Sequence, residues 1–127
     1  MNRTLLRSAC GAAALAAMLS TAAFAEPSNK WRIEFDDKAQ TDGTITLSVT
    51  PASGTPVRAE AAIPAGTHEN HIARLVRDSL KSALGGGYNV EVDDGEDVLV
   101  KQDGVGNFDM KLVSSTVTGL EIELERE

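Results

Sequence analysis

Two imidazole side chains stand three residues apart in the segment His68-Glu69-Asn70-His71. On a helix this spacing places both rings on one face, where neutral nitrogen donors suit zinc or copper if a third ligand comes from elsewhere. The helix of a zinc protease, however, has its histidines four residues apart, with the glutamate directly after the first. A polar first helical turn at the surface explains the segment more simply, so we predict no metal or cofactor.

The segment Asp93-Asp94-Gly95-Glu96-Asp97 concentrates four carboxylates in five residues. Carboxylate oxygens are preferred ligands of calcium. The spacing differs from that of a calcium-binding EF-hand loop, in which acidic or amide residues alternate before a glycine and a distant glutamate. Asp94-Gly95 is also a strong hairpin-turn signal. We therefore interpret the segment as the solvated tip of a β-hairpin.

A short basic strip is predicted on the polar side of the helix that follows the two histidines. It consists of Arg74, Arg77 and Lys81, and Arg74 is spaced to pair with Asp78 one turn later. A strip of this kind could contact an anionic group, although surface helices commonly carry such residues. Together with His68 and His71, these three side chains are the candidate binding residues of the chain.

Catalysis has little support in the sequence. Serines, histidines and carboxylates are present, but no spacing ties a nucleophile to a base and an orienting acid. Gly85-Gly86-Gly87 follows a helix and precedes a strand, which is the reverse of a phosphate-binding loop. We predict no catalytic residue.

Residues 1–25 have the pattern of a cleaved signal peptide. Arg3 and Arg7 precede an apolar run of about 15 residues, too short for a span of about 20, and Ala23-Phe24-Ala25 matches a cleavage site. We therefore expect a periplasmic or secreted protein with a single domain over residues 26–127 and no membrane span. Cleavage would also remove Cys10, the only cysteine, and with it any disulfide.

The charge of the processed chain is strongly negative and unevenly distributed. All 19 acidic residues follow residue 25, whereas Arg3 and Arg7 would be lost, which leaves a formal charge of −9. Residues 85–127 carry 11 of the acidic side chains and only 3 basic ones. Such a domain repels nucleic acids and anionic membranes, so we predict a cationic partner.

Alternating apolar and polar residues predict seven strands, and one helical repeat lies between the third and the fourth. The apolar sides are expected to consist of Trp31, Ile33 and Phe35 in the first strand, Ile45, Leu47 and Val49 in the second, and Phe108, Met110 and Leu112 in the sixth. The helix is expected over residues 67–84, with Thr67 as its N-cap and Gly85-Gly86-Gly87 as its stop. Asp42-Gly43 is expected to form a tight turn that joins the first two strands. The predicted order is β-β-β-α-β-β-β-β.

Strands with one apolar face indicate an α+β fold in which a single amphipathic helix packs on one face of a mostly antiparallel sheet. Seven flat strands would be about 34 Å wide, far wider than one helix of about 10–12 Å. We therefore expect the sheet to curl around the helix and to split at the Asp103–Asn107 loop; burial of the remaining face in a homodimer is the alternative. The polar face could form one broad recognition surface, and a merely solvated face is the alternative. Its expected members are Arg32, Glu34, Thr44, Thr46, Ser48, Arg58, Glu60, Lys111, Glu121 and Glu123.

These features favour an exported, acidic, non-enzymatic domain that binds a protein or a small ligand. An inhibitor of, or an accessory to, a basic envelope protein is one concrete form. The alternative is a small metal-dependent or hydrolytic enzyme that uses His68 or His71. The last predicted strand, with Glu121, Glu123 and Glu125 on one side, is expected to resist edge-to-edge pairing.

Overall fold

The computed structural model describes residues 28–127 except residues 53 and 105, so the predicted leader lies outside the described part. Within that part the chain forms seven strands and one α-helix in the predicted order. The elements are β1 (Lys30–Asp36), β2 (Gly43–Pro51), β3 (Val57–Ile63), α1 (Glu69–Leu84), β4 (Tyr88–Asp93), β5 (Asp97–Gln102), β6 (Phe108–Ser115) and β7 (Glu121–Arg126). A 3₁₀ turn over Gly85–Gly87 follows the helix.

The strands form two antiparallel sheets that do not close into a barrel. One sheet has the order β4-β5-β1-β7 and the other β3-β2-β6. The chain crosses between them from β5 to β6, but also from β1 to β2, from β3 through α1 to β4, and from β6 to β7, so the expected single split after β5 is wrong. The helix α1 contacts β3 in one sheet and β4, β5 and β1 in the other. The α+β fold class, with one helix packed on antiparallel strands, is therefore confirmed.

The expected tight turn at Asp42-Gly43 is wrong, because β1 and β2 belong to different sheets and Gly43 does not adopt a positive φ. The left-handed residue of their connection is Asp37, with a φ of 74°, and not Gly43. Gly43 is needed for a different reason. A Cβ at this position would lie 2.7 Å from the main-chain carbon of Thr116 and the nitrogen of Val117, so the glycine permits a close backbone approach.

The helix α1 begins two residues later than predicted, and Thr67 is not its N-cap. The Thr67 hydroxyl donates a hydrogen bond to the carbonyl of Pro64 at 2.7 Å, and His68 occupies the cap position without a side-chain cap bond. The predicted stop is confirmed. Gly85 adopts a φ of 74°, and its N–H donates to the carbonyl of Lys81. The helix, within the described residues, is neither long nor apolar enough to cross a membrane.

The core lies between α1 and the inner faces of both sheets. The helix contributes Ile72, Ala73, Val76 and Leu80, all of them buried. Ser79 adds a polar link, since its hydroxyl donates to the carbonyl of Glu60 in β3 at 2.9 Å. The strands contribute the alternating residues expected from the sequence, among them Trp31, Ile33, Phe35, Ile45, Leu47 and Val49, and β5 adds Val98 and Val100.

Two side chains on the three-stranded sheet differ from expectation. Leu112, predicted to share the covered face of Phe108 and Met110, is 37% exposed, whereas those two residues are buried. A register shift between Thr46 and Leu47 leaves Val113 as an extra residue in β6, also exposed. Conversely, Thr46 is buried on the outer face, where it lies between Glu60 and Ser114 in the register.

Candidate functional site

The two segments singled out by their chemistry lie side by side in the structure. The turn between β4 and β5 approaches the start of α1, and together they line a shallow, open pocket of about 570 Å³. Its lining includes His68, Glu69, Asp94 and Glu96. A hydrogen bond with the Glu69 carboxyl, together with the negative charge of that group, raises the pKa of Glu96 above its ordinary value. The carboxyl groups of Glu69 and Glu96 therefore repel each other when both are ionised.

The candidate binding residues of the helix lie along its exposed side. His68, His71 and Arg74 line a second shallow pocket, of about 440 Å³. Lys81 is exposed near the other end of α1. The expected pair between Arg74 and Asp78 is wrong, because Asp78 instead accepts a bond from the adjacent Arg77 at 3.0 Å. The structure therefore spreads these cations along the helix surface and does not gather them around one ligand position.

Three glutamates are the one group of metal-ligand type in the described residues whose atoms could reach a common ion. The carboxylate oxygens of Glu34, Glu123 and Glu125 lie within 4.8 Å of one another. Oxygen ligands of this kind suit calcium in preference to zinc. His68 and His71 belong to no such group. Exposed carboxylates commonly gather without an ion, so the cluster is evidence of local negative charge.

The larger feature around this cluster is the outer face of the four-stranded sheet, which we call the acidic face. It carries eight acidic and three basic side chains, a formal charge of −5. Its members are Lys30, Arg32, Glu34 and Asp36 of β1, Asn89, Glu91 and Asp93 of β4, Asp97, Leu99 and Lys101 of β5, and Glu121, Glu123 and Glu125 of β7.

The outer face of the three-stranded sheet is nearly neutral by comparison. Its charged residues are Arg58 and Glu60 on β3 and Asp109 and Lys111 on β6, which balance. The single polar surface expected from the sequence is therefore wrong. Its members are divided between two sheets of different charge, because β1 pairs with β5 and β7 and not with β2.

Arg32 organises one half of the acidic face. Its guanidinium bonds Asp97 at 2.8 Å, Asp93 at 3.1 Å and Glu127 at 3.2 Å, and its side chain is only 16% exposed. Hydrogen bonding to Asp97, followed by that to Glu127 and Asp93, raises the pKa of Arg32. Leu99, directly opposite Arg32 in the register, is buried although it lies on the outer face. The long charged side chains across this face therefore also shield apolar surface.

In the other half of the face, two of the three outward glutamates of β7 lie opposite acidic residues of β1. Glu123 lies opposite Glu34, and Glu121 lies opposite Asp36. The negative charge of Glu125, followed by burial and the charges of Asp97 and Glu123, raises the pKa of Glu34. Like charges directly opposite one another disfavour the sheet. A cation placed here would relieve that repulsion.

Sequence reasoning expected Arg32, Glu34, Glu121 and Glu123 on one broad polar surface, but it did not separate the acidic face from the balanced one. The signal present in the sequence was the excess of acidic residues after the glycine run, which becomes a property of one face because β4, β5 and β7 share a sheet. Compared with protein families, with curated proteins and with solved structures, the chain matches none.

Proposed function

We propose that this protein is an exported, non-enzymatic binding domain, periplasmic or secreted, that holds a cationic protein partner on its acidic face. The observation that carries the proposal is the contrast between the two sheets. One outer face has a formal charge of −5, whereas the other is balanced. An inhibitor of, or an accessory to, a basic envelope protein is the form that best fits this contrast.

The charge of the acidic face supports the proposal in two ways, because it affects both the rate at which a partner associates and the choice of partner. A surface with one sign of charge steers an oppositely charged partner and repels wrong ones, and its effect falls as salt screens it. The bonds of Arg32 to Asp93, Asp97 and Glu127 hold one half of the face in place. The glutamates of β7 that lie opposite acidic residues of β1, Glu121 and Glu123, would supply the attraction.

The test compares two charge variants of the exported protein. One carries Glu123→Lys and Glu125→Lys on the acidic face, and the control carries Glu60→Lys on the balanced face. Each is immobilised and exposed to an envelope extract at low and high salt, and retained basic proteins are then purified and titrated by calorimetry. We expect the control to bind as the unchanged protein does, with an affinity that falls with salt, and the acidic-face variant to bind at least ten-fold more weakly.

Two results would contradict the proposal. One is equal binding by both variants, and the other is a salt-insensitive absence of partners. The variant His68→Ala/His71→Ala addresses the enzymatic alternative. We expect it to retain partner binding in full, because both histidines lie at the start of α1, outside the acidic face. An activity of the unchanged protein that this variant loses would favour the alternative.

A further inference from the structure

The strand β7 has a free edge. It is the terminal strand of its sheet. One of its edges pairs with β1, and no other described strand pairs with the opposite edge. The N–H of Glu127, the residue after β7, donates to the carbonyl of Lys30 at 2.9 Å. Main-chain groups two residues apart point to the same side of a strand. The main-chain N–H and C=O groups of Glu123 and Glu125 therefore face β1, whereas the main-chain groups of Ile122 and Leu124 face the open edge.

Partly exposed apolar side chains lie on β7 and on the neighbouring strand β6, next to this edge. Ile122 and Leu124 pack against the core but remain only half-buried. The preceding strand β6 contacts β7 without pairing with it. On β6, Leu112 is 37% and Val113 is 41% exposed, the two large apolar side chains most exposed among the described residues. A further strand along β7 would bring its own apolar residues to this inner side.

The outward side chains of β7 determine which strand could be added. Glu121, Glu123 and Glu125 form a ladder of like charge. Only Glu125 lies opposite a cation in β1, and that cation, Arg32, already bonds three carboxylates. A second copy of β7 would place glutamate near glutamate, which is unfavourable. Lysine or arginine at alternate positions would instead oppose each glutamate.

We propose that the free edge of β7 accepts, by antiparallel strand addition, an extended segment of the partner in which Lys or Arg alternates with apolar residues. Main-chain hydrogen bonds supply affinity in this mode of recognition, and alternate side chains supply specificity. The inference rests on the proposed function, since it specifies how a cationic partner is held. The glutamate ladder expected to resist edge pairing thus resists only acidic or identical strands.

A defined peptide tests the inference. The probe is an acetylated, amidated, fluorescently labelled octapeptide of strictly alternating lysine and valine, titrated by anisotropy at low salt. In an antiparallel pair, two opposed residues exchange both hydrogen bonds. With valine turned inward, opposite Ile122 and Leu124, its N–H groups bond β7 while the lysine N–H groups point away. We expect N-methylation of all valines to weaken binding at least ten-fold and N-methylation of all lysines to change it less than three-fold.

Protein variants supply the matched comparison. Glu123→Lys should weaken binding of the unmodified peptide about ten-fold, and Glu60→Lys should leave it unchanged. Weaker binding of the lysine-methylated peptide alone would indicate that the peptide adds as a parallel strand, which would contradict the proposed antiparallel pairing. Equal binding by both methylated peptides, an equal loss in both, or no binding of the parent peptide would overturn the inference. In each of those cases the proposed function is still judged separately, by the charge dependence of binding to the envelope protein.

Discussion

The indole N–H of Trp31 in β1 donates a hydrogen bond to the carbonyl of Phe108 in β6, with the nitrogen and oxygen 2.9 Å apart. The same carbonyl accepts a bond from the N–H of Ser28, and Phe108 returns one from its own N–H to the Ser28 carbonyl. These contacts connect the four-stranded sheet to the three-stranded sheet at the start of β1. Because Trp31 is buried, the indole has no access to water as a substitute partner.

The first prediction concerns this connection. Trp31→Phe should lower the free energy of unfolding by about 2–4 kcal/mol, through lost packing and a lost buried hydrogen bond. Amide hydrogen exchange at Phe108 should accelerate, because its neighbouring contact is lost. Phe35→Leu, equally buried on the same strand, is the control and should leave exchange at Phe108 unchanged. Equal acceleration in both variants would contradict a specific role for the indole bond.

The second prediction concerns the close approach at Gly43. Gly43→Ala should destabilise the fold by about 1–3 kcal/mol, because the new methyl group would meet main-chain atoms of Thr116 and Val117. Gly87→Ala is the matched control, since its new methyl group would have no neighbouring atom within 4 Å and its φ is not left-handed. Urea unfolding of both variants measures the difference. Similar stabilities would show that β2 can move away from the connection between β6 and β7.

The third prediction concerns Arg32. Arg32→Gln removes the charge that three carboxylates share, so we expect a loss of about 1–3 kcal/mol in the free energy of unfolding. Arg58→Gln makes the same change at an exposed position of the other sheet and should have little effect. Urea unfolding of both variants at low and high salt would measure the two losses of free energy. A loss at Arg32 no greater than that at Arg58 would count against its organising role.

The fourth prediction is a pH dependence. Crowding by Glu125 raises the pKa of Glu34 above its ordinary value of 4.5. The protonated form is therefore favoured in the folded protein, and its stabilising contribution is complete below pH 4.5 and is lost as the pH rises through the raised pKa. Glu34→Gln stays neutral at every pH, so we expect it to raise Tm by about 1–3 °C at about pH 7 and to have little effect at about pH 4.

Thermal unfolding under these neutral and acidic conditions checks this expectation, with Glu60→Gln as the control for loss of one charge. A difference between Glu34→Gln and the unchanged protein that is the same in both conditions would contradict it. So would a lower Tm of the variant at neutral pH.

Features that depend on neighbouring residues in the sequence, such as strand alternation and the end of the helix, were predictable. Features that depend on which strands pair with each other were not. The alternation of Trp31, Ile33 and Phe35 and the glycine stop after Leu84 were both confirmed. Asp42-Gly43 has the residues of a hairpin turn, yet the strands on either side pair elsewhere. Likewise, Thr67 has the chemistry of an N-cap, but its hydroxyl bonds the carbonyl of Pro64 instead.

The candidate site shows the same division. The excess of carboxylates after residue 84 was evident, and the hairpin at Asp94-Gly95 was placed correctly. That Glu34, far earlier in the chain, would lie beside Glu123 and Glu125 depends on the long-range pairing of β1 with β7. No local pattern specifies such a partner, so the acidic face emerges only from the topology.

The position of β1 between β5 and β7 also bears on the order of folding. This first strand pairs Lys30 with Lys101 and Trp31 with Arg126, so both of its neighbours are synthesised long after it. Pairing over such sequence distances slows folding. A growing chain would therefore leave both edges of β1 unpaired until β5 has been synthesised, and one edge unpaired until β7 follows, so the four-stranded sheet is completed late.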